Sequence, residues 1–218
     1  MMLPRLYPIV DRATLDARGI SVAVFAAELA AAGVELVQYR DKLGAPQEVL
    51  RGAAALAAAF AGRECLFVMN DRADLAALLR WGVHVGQGDL SPQDAQRVLG
   101  TDRVVGVSTH SEQQILRLPL TALGVAQDDY SNGPYYVAVG PVFATVTKAD
   151  AEPVVGLEGV RRARALTSRP LVAIGGITLE NARSVMDAGA DSLAVIGGLF
   201  VEGRSVADVV RDFLRILG

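Results

Sequence analysis

One feature constrains this chain more than any other: eight short apolar runs, most of them rich in β-branched residues, alternate with longer stretches rich in alanine and leucine. The runs are "LYPIV", "VELVQY", "CLFVM", "GVHVG", "RVVGVS", "YYVAVG", "LVAIGG" and "SLAVIG". Runs of this length and composition read as strands, and the segments between them carry helical spacing, most clearly "SVAVFAAELAAAG", "PQEVLRGAAALAAAFAG", "LEGVRRARALT" and "TLENARSVMDAGA". Strands interleaved with helices pair in parallel, because parallel neighbours need a crossover connection. Runs that are apolar on both faces suit a sheet covered on both sides. Eight such units in 218 residues predict a single-domain (β/α)8 TIM barrel over residues 1–218, in preference to an open doubly wound sheet. No linker, low-complexity tract or charge block divides the chain.

Local signals agree with this frame. Ser91-Pro92 places an N-cap before proline at the first helical position. Ser111 and Gln114 have the spacing of a capping box. Gly33 and Gly189 stand where helix C-termini need a residue that tolerates positive φ. The least regular stretch is "GVAQDDYSNGPYYVAVG", where Ser131-Asn132-Gly133-Pro134 predicts a turn in a surface loop before the sixth strand.

Composition excludes several functions. A net charge of -3 and a pI near 5.4 do not supply the basic surface that general nucleic-acid binding needs, so any cationic site is local. Cys65 is the single cysteine, which excludes an internal disulfide and fits a reducing compartment. With two histidines and one cysteine, no zinc-type cluster can be assembled from these residues alone. No apolar run reaches the length of a membrane span, and "MMLPRLYPIVDR" lacks a signal-peptide core, so a cytoplasmic protein is expected.

The polar residues follow the barrel rule that active sites form at the C-terminal ends of the strands. In "VELVQYRDK" an apolar strand runs into Gln38, Arg40 and Lys42, which share one face by the period of 2. The third run ends in Asn70-Asp71-Arg72, the fourth in Gln87 and Asp89, the fifth in Ser108 and Thr109. The sixth is followed by Thr145, Thr147 and Lys148, and the last two end in Gly175-Gly176 and Gly197-Gly198. Arg40, Lys42 and Lys148 offer convergent positive charge for phosphate or pyrophosphate. Asp71 and Asp89 are hard oxygen donors suited to Mg²⁺ held partly by substrate phosphates. Each has a second reading: Asp71 as the N-cap of the helix "ADLAALLR", Asp89 as a solvated loop charge or a charge at a helix N-terminus. Arg72 reads as an ion-pair residue of that helix. The late glycines let backbone N–H groups approach an anion, with tight turns as the alternative. His84 reads as packed inside the barrel, and His110 as a rim or capping residue. No activated nucleophile stands out.

Together, "QYRDK", "NDRADLAALLRWGVHVGQGDL", "GVSTH", "GPVFATVTK" and "AIGGIT", in this order and spacing, resemble the thiamine-phosphate synthase family over nearly the whole chain. The resemblance implies a (β/α)8 barrel that joins hydroxymethylpyrimidine pyrophosphate to a thiazole phosphate with Mg²⁺. It implies that Gln38, Arg40, Lys42 and Asn70 contact the pyrimidine pyrophosphate, and that Ser108 and Lys148 complete the pyrophosphate cradle. Arg40, Lys148 and Ser108 would then be the catalytic groups, and Asp71 and Asp89 the metal ligands. Thr145, Thr147, Gly176, Ile196 and Gly197 would hold the thiazole phosphate. The implied partners are these small molecules, with neither nucleic acid nor membrane; a homodimer is compatible with the sequence.

Two positions depart from the family pattern. Ala144 stands where proline is usual, and Gly197 where many members have serine, which would remove one hydroxyl contact. The "DDYSNGPYY" loop is also longer than usual. The alternatives are a thiazole tautomerase of the same superfamily, which would not need a pyrophosphate and Mg²⁺ site, and a non-catalytic binder of thiamine intermediates.

Overall fold

A computed structural model describes residues 2–117, 135–145 and 153–218. All eight expected strands are present: β1 (Leu6–Asp11), β2 (Leu36–Arg40), β3 (Leu66–Asn70), β4 (Gly82–Val85), β5 (Val105–Thr109), β6 (Tyr135–Val139), β7 (Leu171–Ile174) and β8 (Ser192–Val195). Each pairs in parallel with the next, and β8 closes on β1 through Leu6 opposite Leu193 and Pro8 opposite Val195. The Ser131–Pro134 turn expected from the sequence lies outside the described residues.

The helices form where the apolar spacing directs. They are α1 (Arg12–Asp16), α2 (Val22–Ala31), α3 (Pro46–Ala59), α4 (Ala73–Leu79), α5 (Pro92–Leu99), α6 (Glu112–Arg117), α7 (Gly156–Leu166), α8 (Ala182–Asp187) and α9 (Val206–Leu217). In α2 the buried residues are Val22, Phe25, Ala26, Leu29 and Ala30, one stripe at steps of three and four. Ser21 caps its start by accepting from the Val24 N–H at 3.3 Å, and Gly33 at φ 84 follows its end. The same logic builds α9, where Ser205 accepts from the Asp208 N–H at 3.1 Å and Val206, Val209, Val210, Phe213 and Leu217 are buried. Burying Phe213 fully is worth about 1.5–3 kcal/mol relative to leaving it exposed.

The expected caps hold with one shift. Ser91 accepts from the Asp94 N–H at 3.1 Å ahead of Pro92. Ser111 accepts from the Gln114 N–H at 3.3 Å, but the Gln114 side chain reaches past Ser111 to the His110 N–H at 2.6 Å.

Two apolar layers result. The larger fills the space between strands and helices. The smaller lies inside the barrel and includes Tyr7, Ile9, Leu36, Val68, Tyr136 and Ala138, with Leu3 covering the N-terminal end. Alternation along each strand then fixes which side chains face the mouth. Past Tyr7 and Ile9 the next inward residue is Asp11; past Leu36 come Gln38 and Arg40; past Val68 comes Asn70.

Candidate active site

Gln38 and Arg40 share the inward face of β2, while Val37 and Tyr39 pack outward against the helices. Arg40 stands opposite Asp11 of β1 in register, and its Nη1 donates to Asp11 Oδ2. The other Asp11 oxygen accepts from the Thr14 N–H at 2.9 Å and the Thr14 hydroxyl at 2.6 Å, capping α1. One carboxylate therefore fixes both the guanidinium and the start of a helix.

Strand β2 ends at Arg40, so Lys42 enters the site from the loop. Its Nζ lies 2.8 Å from Asp71 Oδ2. Asp71 has φ 60, unusual for a residue with a Cβ, and forms a tight turn in which the Arg72 N–H donates to Asn70 O at 2.7 Å. A second such turn follows at once, the Ala73 N–H donating to Asp71 O at 3.0 Å. The Asp71 N–H itself is tied to His84 O of β4 at 2.8 Å. Helix α4 begins at Ala73 with Arg72 at its N-cap position, which overturns the alternative reading of Asp71 as the cap. Arg72 is the ion-pair residue expected, bonded to Asp74 at 2.9 and 2.7 Å.

Asp89 accepts from the Gly86 N–H at 2.8 Å. Burial first, and then the nearby Asp71 carboxylate, push its pKa above the ordinary carboxylate value, against the lowering effect of the Gly86 bond and Lys42. Two neighbouring carboxylates that present only oxygen donors fit a hard divalent cation. Among the described residues no group of three or more His, Cys, Asp or Glu side chains is arranged to hold a metal. The described residues therefore offer a cation at Asp71 and Asp89 no third carboxylate, imidazole or thiolate ligand.

A chain of polar groups crosses the barrel beneath this mouth. Gln38 Nε2 donates to Tyr7 Oη at 3.0 Å, Tyr7 Oη meets Tyr136 Oη at 2.8 Å, and Tyr136 Oη meets His84 Nδ1 at 2.9 Å. His84 Nε2 lies 2.8 Å from Ser108 Oγ. The Ser108 carbonyl accepts from Gln87 Nε2 at 2.5 Å. His84 is thus packed in the barrel as its place in β4 implied. His110 ties the ends of β5 and β6 together, its Nδ1 2.7 Å from Gly140 O.

On the far side of the mouth, Gly175 and Gly176 have φ 102 and 64, and Asn181 Nδ2 donates to Gly176 O at 2.9 Å. Ile196, just past the end of β8, packs against the inner apolar layer, and Gly197 opens the short 3-10 turn Gly197–Leu199. Thr145 and Asn70 are half-buried at the same rim. Thr147 and Lys148 lie outside the described residues. A cleft lined by Arg5, Arg164, Arg169 and Arg183 opens on the opposite, N-terminal face. Those arginines bind Leu217 O, Asp191, the Tyr135 ring and Asp187 respectively.

Three residues of this arrangement were not singled out from sequence: Asp11, Tyr7 and Tyr136. Tyr7 and Asp11 carried the same signal as Gln38 and Arg40, since both fall on the inward face of their strand at a period of 2. Tyr136 follows from the register of β6 against β5, which sequence does not supply.

A family model described as thiamine monophosphate synthase matches residues 6–199. The thiamine-phosphate synthase of Koribacter versatilis (strain Ellin345) is 48% identical over 220 residues, covering 100% of this chain and 97% of that protein. The thiamine-phosphate synthase of Azorhizobium caulinodans is 37% identical over 97% of this chain and 94% of its own length. Among solved structures, the thiamine phosphate pyrophosphorylase from Pyrococcus furiosus superposes with a TM-score of 0.77 at 29% identity, over 98% of this chain and 95% of that one.

Proposed function

The chain belongs to the thiamine monophosphate synthase family, and we propose that it joins 4-amino-2-methyl-5-hydroxymethylpyrimidine pyrophosphate to a thiazole phosphate, or its carboxylated form. The products are thiamine phosphate and pyrophosphate. The observation that carries this reading is the convergence of Arg40 and Lys42 with the carboxylates Asp71 and Asp89 on one rim of the barrel.

The reaction breaks the bond between the pyrimidine methylene and the pyrophosphate oxygen, and forms one from that methylene to the thiazole nitrogen. The electron-rich aminopyrimidine stabilises the cationic methylene left behind, so no protein nucleophile is required. The protein has two tasks: to stabilise charge on the departing pyrophosphate and to hold the thiazole nitrogen in line with the methylene. Arg40 and Lys148 neutralise charge on the leaving group, Ser108 donates a hydrogen bond to it, and Gln38, Lys42 and Asn70 hold the pyrimidine pyrophosphate. Thr145, Thr147, Gly176 and the backbone of Ile196-Gly197 bind the thiazole phosphate. Asp71 and Asp89 would hold Mg²⁺, which when bound supplies further positive charge to the pyrophosphate oxygens.

Incubating the purified protein with both substrates, with and without Mg²⁺, tests this directly. Metal-dependent thiamine phosphate formation, abolished or severely reduced in Lys148→Ala, is expected. Isomerisation of the carboxylated thiazole alone, or binding of both substrates without turnover, would overturn it.

A further inference from the structure

The barrel interior holds a continuous line of hydrogen-bonding groups with a definite direction. Gln38, Tyr7 and Tyr136 are 3%, 1% and 0% exposed, so none can satisfy its polar atoms in bulk water. An amide nitrogen only donates, so Tyr7 Oη accepts from Gln38 and sends its own proton to Tyr136 Oη. Tyr136 must then donate to His84 Nδ1, which leaves the imidazole proton on Nε2, facing Ser108 Oγ. With its oxygen occupied as an acceptor, the Ser108 O–H is directed away from this line.

We propose that Tyr7 and Tyr136 fix His84 as the Nε2–H tautomer and that all three are positioning residues, which together make Ser108 a hydrogen-bond donor to an anionic oxygen of the substrate. This rests on the reading of Ser108 as a contact of the leaving pyrophosphate. A donor aimed in advance at developing negative charge is worth more than one that must reorient during the reaction.

The backbone is arranged to permit the line. In register, Gly106 of β5 stands between His84 of β4 and Tyr136 of β6. A Cβ on Gly106 would fall 2.0 Å from Tyr136 Cζ, so only glycine lets the phenol pass over β5 to meet the imidazole. The two rings stack at 5.6 Å and 26°, while Tyr7 meets Tyr136 edge to face at 5.9 Å and 82°. Burial raises the pKa of both tyrosines well above the ordinary phenol value, so both keep their protons and the direction is maintained.

Two measurements test the proposal. Nitrogen-15 NMR of histidine-labelled protein without substrates reports the His84 tautomer: Nε2–H is expected, and a predominantly Nδ1–H ring would overturn the direction of the line. This readout does not depend on the reaction, so it decides the point even if thiamine phosphate formation failed and the functional reading fell. The second is a kinetic cycle of Tyr136→Phe, Ser108→Ala and the double variant. Tyr136→Phe preserves the ring but removes its bonds to Tyr7 and His84, and should lower kcat by about tenfold, the worth of one well-placed donor bond from Ser108. In the Ser108→Ala background the same change should have almost no further effect, because the tyrosine acts through the serine. Two losses that simply multiply would assign Tyr136 a structural role and overturn the proposal.

Discussion

Asp11, at 3% exposure, is the counter-ion of Arg40: two adjacent strands end side by side and neutralise each other at the mouth of the barrel. The pair holds the guanidinium toward the site. Because Asp11 also caps α1, the carboxylate cannot turn away without releasing a helix end. Fixing a charged donor before substrate arrives removes a reorganisation cost from the reaction.

Asp11→Ala should therefore reduce both stability and activity. Stranding a largely buried guanidinium and losing a helix cap should together lower unfolding stability by on the order of 3 kcal/mol, measured by urea denaturation. Asp11→Asn keeps the cap and the volume, so it should fold better yet still lose turnover. An Asp11→Asn enzyme with unaltered kcat would show that Arg40 needs no counter-ion. Arg40→Ala strands the same carboxylate from the other side, so its activity loss must be read beside a stability measurement.

Asp71 sits at φ 60, where a residue with a Cβ carries about 1–2 kcal/mol of strain that glycine avoids. Asp71→Gly should relieve that strain. Stability should hold or rise by up to about 1 kcal/mol, even with the Lys42 contact gone, because that ion pair is half exposed. Activity should fall severely as one of the two rim carboxylates disappears. Thermal denaturation together with turnover separates these effects; a variant that is both less stable and fully active would contradict the reading.

The inward direction of Gln38 and Arg40 was legible from alternation alone, and the same rule would have delivered Asp11. The eight staves and their order were equally legible, because β-branched runs and helical spacing are local properties. Other features leave no local mark. Nothing in the letters around Asp71 announces a positive φ, which is imposed by the bonds from Arg72 to Asn70 and from Asp71 to His84. Lys42 lies two residues past the end of β2, so only the loop path brings it to Asp71. The Tyr136–His84 contact depends on barrel closure and on a glycine in the intervening strand.

Gly176 combines φ 64 with close packing: an added Cβ would lie 2.7 Å from both Ala144 O and Phe143 Cβ. Gly176→Ala should push the loop after β6 away from the loop after β7, at about 2–3 kcal/mol of stability. If this edge binds the thiazole phosphate as proposed, KM for that substrate should rise several-fold more than KM for the pyrimidine pyrophosphate. Equal changes in both would mean that the glycine serves the fold alone.

The Asp71 and Asp89 pair predicts how stability responds to pH and magnesium together. Asp89 has a raised pKa in the folded protein, so over the interval from the ordinary carboxylate value up to the raised one the native state holds a proton that the unfolded chain has released. Stability without a divalent cation should therefore fall as pH rises through that interval, and the full penalty should persist above it. A cation bound between the ionised carboxylates reverses the penalty. At neutral pH, Mg²⁺ at a hundredfold its Kd should add about 2.7 kcal/mol, a gain that shrinks as acid protonates Asp89. Asp89→Asn retains an oxygen to accept from the Gly86 N–H. It should be more stable than the parent without Mg²⁺ and gain little from adding it. Thermal denaturation of both proteins across this pH range, with and without Mg²⁺, measures all of these quantities. A Mg²⁺-induced rise in Tm that is the same in both proteins would place the cation elsewhere.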